Sequence, residues 1–179
     1  MTDTEREMVE KVSKAFARTI VVLNVGNIID MKWVKECNPA AVLYVWQGGQ
    51  EGGNGVADVL MGRVSPCGKL TDTIAENIED YPSTSCFGDL VRNEYKEDIY
   101  VGYRYFDTFH VAPRYPFGYG MSYTNFAIRF EQMQMEGTKI HVYTEVENTG
   151  RIYDGKEFVQ IYVSCPNGEL KKEAQRLTA

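Results

Sequence analysis

Hydrophobic and polar positions along this chain change period twice, and each change marks a different kind of element. Met8, Val9, Val12, Ala15 and Phe16 recur on one helical face, predicting an amphipathic helix over Thr2–Arg18, with Thr4 and Glu7 at capping-box spacing. The β-branched run Thr19-Ile-Val-Val-Leu-Asn24 then predicts a buried strand, closed by a turn over Asn24–Asn27. Asp30 is placed to cap a short helix from Met31 to Glu36, with Trp33 and Val34 inward. Ala40-Ala-Val-Leu-Tyr-Val-Trp46 is a continuous apolar run, the pattern of a strand covered on both faces. The next nine residues, Gln47 to Gly55, hold five glycines and predict a sharply turning loop, since glycine has no Cβ and accepts positive φ. Val56, Ala57, Leu60 and Met61 return to helical spacing, with Gly62 placed to stop that helix. The order helix, strand, helix, strand, helix implies parallel pairing in a layered α/β domain.

Beyond Gly62 the periodicity weakens. Pro66-Cys-Gly68 is a turn leading into Lys69-Leu-Thr-Asp-Thr-Ile74, read as a further strand, and Glu76–Asn93 is polar and rich in turn residues. Tyr95 to Phe109 is dense in aromatics, suited either to stacking on sugar rings or to packing a domain junction, the second being favoured. From Asn125 the period becomes two. Phe126, Ile128 and Phe130 alternate with polar neighbours, as do Ile140, Val142, Thr144 and Val146. Phe158–Ser164 reads as another strand, ended by Pro166-Asn-Gly168, so antiparallel β structure is expected here.

Composition narrows the functional classes. The chain has 179 residues, 44% hydrophobic, with a net charge of −6, a balance that argues against a nucleic-acid surface or an anionic membrane as partner. Thr19–Val25, the most apolar run near the start, is far shorter than the ~20 residues a membrane span needs. No secretion leader is visible, and Cys37, Cys67, Cys86 and Cys165 lack C-x-x-C spacing. With His110 and His141 the only histidines, neither a zinc site nor a disulfide framework is expected; scattered reduced thiols suggest a cytoplasmic protein.

Five stretches carry a resemblance. Gly-Gln-Glu-Gly-Gly-Asn-x-Val-Ala-Asp-Val-Leu-x-Gly-x-x-x-Pro-x-Gly-Lys-Leu, ending at Leu70, resembles the C-terminal α/β domain of family-3 glycoside hydrolases, the β-glucosidase family. Thr-Ile-Val-Val-Leu-Asn-x-Gly-Asn-x-Ile-Asp-Met-x-Trp, ending at Trp33, is similar to the same family. So are Tyr-x-Glu-Asp-Ile-Tyr-Val-Gly-Tyr-Arg-Tyr-Phe, ending at Phe106, and Tyr115-Pro-Phe-Gly-Tyr-Gly-Met-Ser-Tyr-Thr124. Thr71 departs from the pattern, where many members carry proline, and Met121 stands where leucine is usual. Val-x-Asn-Thr-Gly150 followed by Gly-x-Glu-x-Val-Gln-Ile-Tyr-Val163 resembles the fibronectin-III-like domain found after the α/β domain in many members. The resemblance implies an α/β sandwich with a mostly parallel sheet over 1–124, its N-terminal part missing, and an incomplete all-β fibronectin-III-like sandwich over 125–179.

The same resemblance implies a retaining β-glucosidase as parent, acting on terminal β-D-glucosyl residues without a cofactor. Retaining glycosidases use two carboxyl groups about 5 Å apart. In this family the nucleophile lies on a separate (β/α)8 barrel, the expected partner domain. The acid/base glutamate sits on a loop that falls upstream of Met1, so no catalytic residue is assigned here and the chain alone is expected to be inactive. Glu51 is the substitute candidate. It reads either as a substrate contact or, better, as an acceptor of backbone N–H groups at the start of the helix after Asn54. Trp46 reads either as a sugar platform or as packing beneath the loop. The 48–55 loop has neither P-loop nor dinucleotide spacing, and Ser122 is not in a nucleophile elbow. The rival readings are a non-catalytic carbohydrate-binding module, a nucleotide-binding domain, and an assembly module forming homo-oligomers through an uncovered β face.

Overall fold

The computed structural model describes residues 1–166 and 168–179. Helix α1 runs Asp3–Ala15, shorter at both ends than its apolar pattern. Its capping box is Thr2 with Glu5, not Thr4 with Glu7. The Glu5 amide donates to Thr2 Oγ1 at 3.3 Å, and the Glu5 carboxylate accepts the Thr2 N–H at 2.7 Å. Two residues further on, Thr4 already lies inside the helix, where its hydroxyl has no orphan amide to take.

Strands β1 (Ile20–Leu23) and β2 (Ala41–Tyr44) pair in parallel, Ile20 opposite Ala41 and Leu23 opposite Tyr44. The crossover between them holds α2 (Lys32–Cys37), whose N-cap is Met31 and not the predicted Asp30; Asp30 stands one residue earlier, where its Oδ1 accepts the Lys32 amide at 2.9 Å across the turn into the helix. Parallel neighbours need such a crossover, which makes this a βαβ unit. The apolar cluster joins Val9 of α1, Leu23 of β1, Met31 and Trp33 around α2, and Ile74, with Trp33 only 2% exposed. Val21, Val42 and Tyr44 pack against it, so a single face of the β1–β2 pair is covered. Ile20 and Val22 point the other way and are exposed, which corrects the expectation of strands buried on both faces.

Helix α3 is Gly52–Leu60. It begins inside the glycine run, so three of the five glycines expected in a loop are helical. Gly62, at φ +69°, ends it as predicted, its N–H reaching the Val59 carbonyl at 3.0 Å. Lys69–Ile74 is not a strand. Leu70 instead bonds to the distant turn at 118–119, its N–H donating to Tyr119 O and its carbonyl accepting the Gly118 N–H, each at 2.8 Å. Only Ile74–Ala75 forms β3, antiparallel to β4 (Pro113–Tyr115). Among the described residues, parallel pairing is therefore confined to β1–β2. Two short 3-10 turns, Ile78–Asp80 and Pro82–Ser85, occupy the polar segment. Helix α4 (Tyr103–Thr108) gathers the aromatics: Tyr103 packs on Phe117 and Tyr162, Tyr105 on Phe106 and Phe109.

Strands β5 (Phe126–Glu136) and β6 (Lys139–Asn148) form one antiparallel hairpin turned at Gly137, φ +60°. A bulge between Phe130 and Gln132 inserts one residue and moves the inward parity from even to odd numbers. Phe126, Ile128 and Phe130 therefore share a face with Met133 and Met135, opposite Val146, Val142 and Ile140. Most of that apolar face is open, from 44% exposure at Val146 to 75% at Met135, while Phe126 and Val142 are half-buried. The strand expected over Phe158–Ser164 shrinks to β7 (Tyr162–Val163), paired with β8 (Arg176–Leu177) and not with the hairpin. Of the predicted terminator Pro166-Asn-Gly168, Asn167 lies outside the described residues.

Candidate functional site

In α/β units, ligands bind at the carboxyl ends of parallel strands. Here that edge is built from residues 24–30 after β1 and 45–51 after β2, and side chains tie the two loops together. The Tyr44 hydroxyl donates to the Asn27 carbonyl at 2.5 Å. Burial pushes the Tyr44 phenol above its ordinary pKa, so it stays a donor at neutral pH. The Gln47 amide lies against Gly26, where a Cβ would come within 2.9 Å of Nε2, so the two loops meet through this side chain.

Trp46 leaves β2 at φ +53°, the left-handed region that side chains other than glycine's enter at a cost. Its ring packs on Tyr44, centroids 4.7 Å apart, and it stays half-buried at the margin of the core. Gly48 then lies against Gly52, where a Cβ would come 2.8 Å from the Gly52 Cα, and Gly49 turns the chain at φ +64°. Close backbone approach thus fixes the first half of the glycine run. The second half, inside α3, meets no such neighbour: a Cβ on Gly52, Gly53 or Gly55 finds open space.

Glu51 occupies the N-cap position of α3 but makes no side-chain bond to the helix backbone. Its Oε2 instead accepts the Asn54 side-chain amide at 2.5 Å. The expected backbone cap is thus replaced by a side-chain cap one turn on. The carboxylate is exposed, and the polar partner it holds is that amide. The structure brings Trp46 and Glu51 onto the same edge, with Asn27 and Gln47 beside them. Among the described residues, no group of three or more His, Cys, Asp or Glu side chains is arranged to hold a metal.

Two pairings escaped sequence reasoning. Lys69 Nζ lies 2.9 Å from Glu157 Oε1, and Ser65 Oγ lies 2.8 Å from Ser122 Oγ, across 88 and 57 residues of chain. No local pattern signals contacts at such separations. The glycines at 118 and 120, within an aromatic stretch, were the nearest available hint of a tight junction.

Comparison with known proteins bears on what this edge belongs to. The family model described as "Glycosyl hydrolase family 3 C-terminal domain" matches residues 1–123. A β-glucosidase of Ruminococcus albus is 50% identical over 178 residues, covering 99% of this chain and 19% of that protein. Among solved structures, a β-glucosidase from Paenibacillus barengoltzii superposes with a TM-score of 0.92 at 48% identity, over 99% of this chain and 20% of its own. β-Glucosidase 3B from Thermotoga neapolitana, solved in complex with glucose, gives a TM-score of 0.90 at 40% identity, over 100% of this chain and 26% of its own. The chain therefore spans about a fifth to a quarter of the length of these relatives.

Proposed function

The chain belongs to glycosyl hydrolase family 3, through the C-terminal domain of that family, and from this premise we propose that it is the scaffolding portion of a larger retaining β-glucosidase. The observation that carries the proposal is the coverage: nearly all of this chain aligns to a fifth of a β-glucosidase. The parent hydrolyses terminal β-D-glucosyl residues with two carboxyl groups, one attacking the anomeric carbon and one serving the leaving oxygen as acid and then water as base. Neither belongs to this chain. The nucleophile belongs to a (β/α)8 barrel, and the acid/base glutamate to a loop preceding α1. The role of residues 1–124 is to hold that loop over the barrel's pocket, as part of an α/β sandwich completed by segments outside this chain.

Residues 125–179 are read as the beginning of a fibronectin-III-like domain. The uncovered apolar face of β5–β6 supports this reading, since a lone two-stranded hairpin is marginal in water and such a face belongs against a second sheet. Trp46 and Glu51 are placed at the margin of the substrate path, with Glu51 orienting the start of α3 through Asn54 rather than moving a proton. The test is extension. A polypeptide joining a family-3 barrel and acid/base loop to this chain is expected to hydrolyse an aryl β-D-glucoside. The proposal fails if that extended protein folds and is equally active without residues 1–124.

A further inference from the structure

The last thirty residues before the C-terminus do not continue the hairpin; they return to the α/β body. Asn148 ends β6, and residues 149–161 contain no helix or strand. This segment is nonetheless anchored at several residues, although 151–156 are exposed. The Asn148 side chain receives Thr124 Oγ1 at 2.5 Å and gives its amide to the Tyr153 carbonyl at 2.9 Å. The Tyr153 ring packs on Tyr123 at 5.5 Å, and its hydroxyl sits over Gly62, where a Cβ would come within 3.1 Å. Gln160 lies against Gly118 closely enough to forbid a side chain there.

Between these contacts lies Glu157. Its carboxylate meets Lys69 Nζ at 2.9 Å, with the two side chains 16% and 18% exposed. Lys69 Nζ also donates to the Gly120 carbonyl at 2.9 Å, and Glu157 Oε1 accepts the Phe158 amide at 2.8 Å. Among the described residues this is the one ion pair joining residues 1–124 to residues 125–179. It is also far more sheltered than the surface pairs of α1 and the hairpin. A sheltered pair of this kind contributes little when intact but is costly to break from one side, because the survivor is left desolvated and unpaired.

We infer that residues 149–161 are a strap fastened to the α/β body by Lys69 and Glu157, and that opening this fastener frees the strap while the β1–β2 core stays closed. Backbone bonds hold the strap's two ends, Thr149 N–H donating to Asn125 O and Ile161 pairing with Thr178 and Ala179, so side chains decide the local stability of the residues between them, which differs from that of the core.

The test is hydrogen exchange on the full 179-residue chain, read by mass spectrometry of peptides. Glu157→Gln is expected to speed exchange by about tenfold or more at the strap's hydrogen-bonded amides, those of Thr149, Gly150, Phe158 and Ile161, with the peptides of β1 and β2 unchanged. Lys69→Met is expected to give the same regional pattern, and Lys69→Arg, which keeps the charge, to stay near wild type. The inference is overturned if strap exchange is unaffected in both the Glu157→Gln and Lys69→Met variants. It is equally overturned if exchange rises by the same factor in the strap and in β1–β2, since the pair would then support the whole fold and fasten no part of it. Should Glu157→Gln not fold, Lys69→Met alone decides between these outcomes.

Discussion

One methyl group added at Gly48 and one added at Gly55 should move stability in opposite directions. Both glycines belong to the run between Trp46 and the middle of α3, and by composition they look alike. Gly55 is the fourth residue of α3, and a Cβ there meets nothing within 4 Å. Alanine at a helical position is more favourable than glycine by about 0.8–1 kcal/mol, so Gly55→Ala should stabilise by about that amount. At Gly48 the same methyl arrives 2.8 Å from the Gly52 Cα, a backbone atom that cannot swing aside. Relief requires the turn to open, and overpacking of this kind costs about 1–3 kcal/mol. For a chain of this size 1 kcal/mol corresponds to roughly 2–4 °C in Tm. Gly55→Ala should therefore melt about 3 °C above wild type and Gly48→Ala about 6 °C below it. The assay is thermal unfolding followed by far-UV circular dichroism at neutral pH and equal concentration. A Gly48→Ala variant as stable as wild type, or a destabilised Gly55→Ala, would refute the division of the run into a close-packed turn and an open helix start.

Two further outcomes follow from the same geometry. His110 follows α4 at φ +54°, with the Val111 amide bonded to Phe106 O at 2.9 Å, a position where helices commonly place glycine; His110→Gly should raise stability by about 0.5–1 kcal/mol in urea unfolding. Burial pushes the Glu157 carboxyl up, but the Lys69 hydrogen bond, the Phe158 amide and the Lys69 charge together outweigh it and hold its pKa below the ordinary value of 4.5. A depressed folded pKa means the unfolded state binds the proton first, so Glu157's stabilisation is complete above about pH 4.5 and is lost as pH falls through the lower folded value. Stability plotted against pH should accordingly lose part of its slope below about pH 4.5 in Glu157→Gln, and an acid limb identical to wild type would contradict the assignment.

Much of the α/β part was legible because its signals are local. Asp30 turns the chain into α2 one residue ahead of the cap position, Trp33 points into the core, and the crossover forces β1 and β2 into parallel pairing. Where sequence reasoning failed, tertiary context had overridden a local rule. Glycine marks turns, yet Gly52, Gly53 and Gly55 are helical, because α3 starts directly after the Gly48–Gly52 contact. Alternation from Phe126 to Phe130 gave the apolar face of β5, but Met133 and Met135 could not be added to it. A one-residue bulge reverses the parity, and nothing in the sequence marks it. At the candidate edge, Trp46 and Glu51 were both singled out, while their actual partners were not. Tyr44 ends β2 and meets Trp46 only because Trp46 turns back at positive φ, and Asn54 competes with the backbone amides for the Glu51 carboxylate. The Lys69–Glu157 fastener was invisible for a simpler reason: its halves are 88 residues apart.

The central claim is that this chain supplies shape to a glycosidase whose two working carboxyl groups lie elsewhere. The most direct measurement is hydrolysis of an aryl β-D-glucoside by the purified 179-residue chain, compared with its Glu51→Gln variant. The account predicts no turnover above the buffer rate from either protein. Turnover that copurifies with the chain and disappears in Glu51→Gln would contradict it.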